Sequence, residues 1–171
     1  TLSDYVSLNN YSIYDLFTTK NNINFYDDET LIVIKPHPHD EDIVNLNSIK
    51  LPKNVIFLTD KKLGSLGVDF YETLNAFDLL ITDYSSVFYD FLLLDKPMIF
   101  YDPLIDDVKE NRGLIFESVE SFLPGDVCKT IEDLKIRIAK NLKGEKEIIA
   151  KPLLKEIWEL DDKNLYGIYL L

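Results

Sequence analysis

An α/β fold with a parallel sheet flanked by helices is what the sequence predicts, on two observations. Four short apolar runs stand out, at residues 31–36 (LIVIKP), 54–58 (NVIFL), 78–83 (DLLITD) and 97–102 (PMIFYD), each bounded by polar or turn residues. They are rich in Ile, Val and Phe without strict alternation, as strands covered on both faces are. Between them the spacing turns helical: Phe70, Leu74 and Phe77 share one face, and Val87, Phe91 and Leu94 share another. Strand alternating with helix implies crossover connections and parallel pairing.

The elements outside this alternation follow in order. Tyr11, Ile13, Tyr14, Leu16 and Phe17 read as a helix ahead of the first run, whose partner strand would lie upstream of Thr1. After Phe116 the pattern becomes mainly helical. Residues 130–142 (TIEDLKIRIAKNL) are amphipathic, Gly144 is a helix stop, and Pro152 sits early enough in a further segment to start or kink a helix. The 171 residues fit one domain, 1–171, and the expectation is that this is a piece of a larger protein.

Composition narrows the partners. With 18 Lys and Arg against 30 Asp and Glu, the net charge of −12 argues against nucleic acid, since a polyanion needs a basic surface. A small phosphate ligand remains compatible if a few local groups outweigh the global field. The single cysteine, Cys128, excludes an internal disulfide and any cysteine-rich zinc module. No apolar run approaches the roughly 18 residues of a membrane span, so the chain reads as cytoplasmic.

In an open parallel sheet, ligands bind beyond the carboxyl ends of the strands. Four loops occupy those positions. In the third, Ser85 and Ser86 follow the strand-end Asp83 at the cap and first turn of the next helix. Serine is a preferred cap, which is the commoner use of such a pair, and the same free amides and hydroxyls would also serve an anion. Asp90 lies one turn deeper, as a sugar-hydroxyl acceptor or a solvated carboxylate. In the fourth, Arg112 beside Gly113 forks onto a phosphate or pairs with Glu110 or Asp107. The second, with Thr59, Lys61 and Lys62, reads as a glycine-bearing solvated connection, wrongly spaced for a P-loop.

The first loop holds both histidines, in VIKPHPHDED (33–42). HPHDE differs by one residue from the HPDDE pattern of zinc-dependent deacetylases, but His39 stands where the ligand aspartate should be. Catalytic zinc commonly takes three protein ligands, and no histidine follows residue 39 to supply another. The reading that remains is a phosphate contact: a strand-end histidine, His37, donates to a phosphate oxygen with prolines fixing its backbone. No nucleophile elbow and no dinucleotide glycine motif is present.

Read in order, KPHPH (35–39), LLITDYSSVFYDFLLLDKPMIFYDP (79–103) and ENRGLIFE (110–117) resemble the CDP-glycerol glycerophosphotransferase family, the teichoic-acid primases and polymerases. The resemblance covers roughly residues 31 to 130. It implies the carboxyl-terminal, donor-binding half of a GT-B architecture, with a Rossmann-like sheet whose first strand and acceptor-side domain are missing from this stretch. It further implies transfer of glycerol phosphate from CDP-glycerol, or a related CDP-activated donor, to a hydroxyl of a lipid-linked or polymer acceptor, releasing CMP. No tightly bound cofactor and no metal is implied. His37 matches a donor-pyrophosphate contact with a catalytic role. Ser85 and Ser86 match the phosphate-binding helix start, and Arg112 with Gly113 the RG loop. Asp83 is expected to position that loop, and Asp83, Asp90 and Thr59 are the residues expected near the nucleoside. The general base would lie outside this stretch, as would any membrane attachment at the inner face. Two alternatives stand beside this: a GT-B glycosyltransferase using another nucleotide-activated sugar, and a non-catalytic α/β ligand-binding module.

Overall fold

The computed structural model describes residues 30–36, 51–83, 85–102, 123–124 and 126–145. The chain divides into two compact units, Thr1–Glu72 and Thr73–Leu171, each described here by itself.

In the first unit, β1 (Ile32–Ile34) pairs in parallel with β2 (Val55–Phe57), Val33 opposite Ile56. The ladder is extended by Ile32 N–H to the Asn54 carbonyl (2.8 Å) and by Leu58 N–H to the Ile34 carbonyl (2.9 Å). Ile34, Pro36, Val55 and Leu63 are its buried apolar side chains among the described residues. Leu63 belongs to α1 (Asp60–Leu66), where the sequence reading expected a loop. The correction has a clear cause. Thr59 supplies an N-cap, and Gly67, at φ +66°, ends the helix in the left-handed conformation that glycine tolerates, so Gly64 is carried inside a helix flanked by proper start and stop signals. A short helix, α2 (Phe70–Thr73), straddles the division between the units.

The second unit opens with a 3₁₀ turn, Leu74–Ala76, that buries Leu74. Three parallel strands follow, β3 (Leu80–Thr82), β4 (Met98–Tyr101) and β5 (Asp126–Cys128), with β4 in the centre. Ile81 pairs with Ile99, and Phe100 with Val127. The crossover from β3 to β4 contains α3 (Val87–Leu92). The buried face of α3 is Phe88, Phe91 and Leu92, whereas sequence spacing selects Val87, Phe91 and Leu94. Phe88 decides this rotation: its ring meets Phe100 of β4 edge-on at 5.4 Å and 82°. Met98, Ile99 and Phe100 are all buried, as a central strand covered on both faces requires.

After α3 the chain turns through Asp95 at φ +52° into β4. Lys96 closes this turn by donating to the carbonyls of Asn75 (2.5 Å) and Phe77 (2.8 Å). The helix α4 (Ile131–Leu142) packs on β4 and β5 through Leu134 and Ile138. Thr130 caps it by accepting from Asp133 N–H (3.2 Å), and Gly144 at φ +79° follows its end, as the sequence indicates. The strand β5 is an addition to the expected helical tail. The segments around Tyr11 and Pro152 lie outside the described residues.

Candidate functional site

The two units place their polar residues at strand ends in different ways. In the first, Thr59 has extended backbone (φ −86°, ψ 156°), which turns its Oγ1 back to accept from Lys62 N–H at 3.1 Å. Asp60, the first residue of α1, puts a carboxylate at the positive end of that helix. Its Oδ1 lies 2.9 Å from Lys35 Nζ, and Lys35 also donates to the Pro36 carbonyl at 2.8 Å. The ammonium sits 5.7 Å from the centre of the Phe70 ring. Lys35 and Asp60 therefore tie the end of β1 to the start of α1. Neither was singled out from the sequence, although Thr59 followed by an acidic first-turn residue after an apolar run is a helix-start signal that could have found Asp60.

In the second unit β3 ends at Thr82 and the half-buried Asp83 follows. One oxygen of Asp83, Oδ1, accepts both from Ser85 N–H (2.8 Å) and from the Ser85 hydroxyl. Asp83 thus organises the turn leading to α3. Ser86, not Ser85, occupies the N-cap. Its backbone is already helical (φ −57°, ψ −16°) and its side chain makes no capping bond. The Ser85 and Ser86 carbonyls instead receive Phe88 N–H (3.3 Å) and Tyr89 N–H (3.0 Å). Both serine side chains are exposed.

Asp90 lies in the same short helix, half-buried. Burial raises its carboxyl above the ordinary aspartate value, and hydrogen bonding to its own backbone opposes that rise. The structure therefore brings Asp83 and Ser85 into contact, with Ser86 next in sequence and Asp90 one turn on. Thr59 belongs to the first unit. His37, Arg112 and Gly113 lie outside the described residues.

A parallel α/β chain whose DYSS turn is built around Asp83 matches, over residues 1–164, the family described as CDP-glycerol:poly(glycerophosphate) glycerophosphotransferase. The chain belongs to that family. Among solved structures it is similar to one titled "Structure of the Wall Teichoic Acid Polymerase TagF", at 18% identity and a TM-score of 0.37, over 97% of this chain and 51% of that one. The chain thus spans about half the length of that polymerase structure. No curated protein matches it. Membership of the glycerophosphotransferase family agrees with the resemblance carried by KPHPH, the DYSS segment and ENRG. Among the described residues, no helix is long and apolar enough to cross a membrane.

Proposed function

We propose that this chain supplies the donor-binding half of a GT-B transferase that moves glycerol phosphate from CDP-glycerol to a hydroxyl of a lipid-linked or polymer acceptor. The observation that carries the reading is the family match across residues 1–164. The acceptor oxygen attacks the β-phosphorus of the donor, the bond from that phosphorus to the bridging oxygen breaks, and CMP leaves with the electron pair. The acceptor proton passes to a base contributed from outside this chain. Negative charge builds on the leaving phosphate, so fixed donors aimed at the diphosphate oxygens lower the barrier without covalent catalysis.

In this scheme His37, protonated, and Arg112 with Gly113 supply such donors. Ser86 adds a hydroxyl at the start of α3, supported by its exposure and by the absence of a capping bond to its own helix. Ser85 belongs to the same turn. Thr59, Asp83 and Asp90 are assigned to the nucleoside side. Thr59 keeps its hydroxyl proton to donate toward the ligand, while its oxygen accepts from Lys62 N–H.

Calorimetric titration of the chain with CDP-glycerol, CDP-ribitol, CMP and UDP tests the proposal. Cytidine ligands are expected to bind more tightly than UDP, and CDP-glycerol more tightly than CMP. A uridine preference would indicate a nucleotide-sugar transferase instead and overturn the assignment.

A further inference from the structure

The two adjacent serines of the DYSS turn are not chemically equivalent. Ser85 has two hydrogen-bond donors, its amide and its hydroxyl, and both are directed to Asp83 Oδ1. A serine hydroxyl has a single proton and two lone pairs. With the proton committed to a carboxylate, the exposed Oγ offers lone pairs only, and the anionic partner behind it makes that oxygen more electron-rich. Such an atom repels a phosphate oxygen and attracts a hydroxyl proton. Ser86, by contrast, makes no capping bond and keeps a proton to donate.

We infer that Ser85 reads a hydroxyl group of the donor by accepting a hydrogen bond from it, with Asp83 as the residue that fixes this polarity, while Ser86 takes the phosphate. This deepens the proposed function and rests on it. The donor carries hydroxyls in two places, ribose and glycerol, and both have the required chemistry.

The test is calorimetric titration of the full chain and its Ser85→Ala, Ser85→Thr and Ser86→Ala variants with CDP-glycerol, CDP, 2′,3′-dideoxy-CDP and inorganic pyrophosphate. Ser85→Ala is expected to weaken CDP-glycerol binding by about fivefold, the worth of one neutral hydrogen bond, and to leave pyrophosphate unchanged. Ser85→Thr, which keeps the hydroxyl, restores most of the loss. If CDP is weakened equally and the dideoxy ligand is not, the hydroxyl is on the ribose; if only CDP-glycerol is weakened, it is on the glycerol. Either pattern supports the inference. Equal weakening of all four ligands, weakening of every cytidine ligand including the dideoxy form, or no change in any of them overturns it. Should the unmodified chain bind none of the cytidine ligands, the proposed function falls and this inference falls with it. Thermal unfolding of each variant separates lost binding from lost fold.

Discussion

The turns after β2 and β3 use the same residue types, hydroxyl and carboxylate at a strand end before a helix, to opposite ends. After β2 the groups satisfy one another: Thr59 caps α1, and Asp60 holds Lys35. After β3 Asp83 gathers both donors of Ser85, and Ser86 is left exposed without a capping bond. Backbone conformation separates the two cases. A cap residue with extended backbone, such as Thr59 at ψ 156°, folds its oxygen over the first turn, whereas Ser86 at ψ −16° cannot. The first turn spends its hydroxyl oxygen on capping its own helix; the second leaves both serine side chains exposed, and Ser86 makes no capping bond.

The comparison can be broken most forcefully at the support of the open turn. Phe91 has no exposure at all and anchors α3. Phe91→Ala is expected to cost about 3–5 kcal/mol of stability in urea unfolding, far more than any polar change in either turn. A loss below about 1 kcal/mol would mean that α3 is not held by its buried aromatic face.

Next come the caps. Thr59→Ala and Thr130→Ala each remove a hydroxyl that accepts from the first turn of a helix, and each should cost about 1 kcal/mol. Only Thr59→Ala should also weaken CDP binding; identical behaviour of the two variants would reduce Thr59 to a plain cap.

Lys35→Met sharpens the contrast from the closed side. The Lys35 side chain is 18% exposed and that of Asp60 48%, so the pair is well screened, and its loss should cost about 1 kcal/mol or less. That cost should shrink in 1 M salt, where screening lengths fall to about 3 Å. A cost independent of salt would assign the effect to packing against Phe70 instead.

The smallest effect concerns Asp90, whose carboxyl is raised by burial. The folded state holds this proton more tightly than the unfolded chain does. Its contribution to stability is therefore complete below the unfolded aspartate range and is lost as pH rises through the raised value. Asparagine has no such dependence. The stability of Asp90→Asn relative to the unmodified chain should rise with pH across the acid limb of the denaturation profile, and a flat or falling difference would contradict the assignment.

These comparisons also show what the sequence could carry. Runs of Ile, Val and Phe marked four strands correctly, because each is continuously apolar, although of the four it is β4 that buries three successive residues. The fifth, Asp126–Cys128, is three residues long and contains an aspartate, so no run announced it. Helix α1 was hidden by Gly64 and Gly67, which in isolation signal a loop, although Gly67 is its stop. On α3 the spacing gave a helix with the wrong buried face, since Phe88 and Val87 are equally apolar and only the Phe100 ring chooses between them. Within the site, the adjacency of Asp83, Ser85 and Ser86 was plain from the sequence. Which serine bonds the Asp83 carboxylate and which lacks a capping bond was not, because that depends on ψ at Ser86 and on the direction of the Asp83 carboxylate.

In the proposed function the turn after β3 takes the diphosphate of the donor, whereas Thr59 and Thr130 cap the helices they precede. The most direct test of this is the affinity for CDP-glycerol of Ser86→Ala beside Thr130→Ala. The account predicts a loss of about tenfold or more for Ser86→Ala, the worth of a hydrogen bond to a charged group, and unchanged affinity for Thr130→Ala. Equal affinities in the two variants would contradict it.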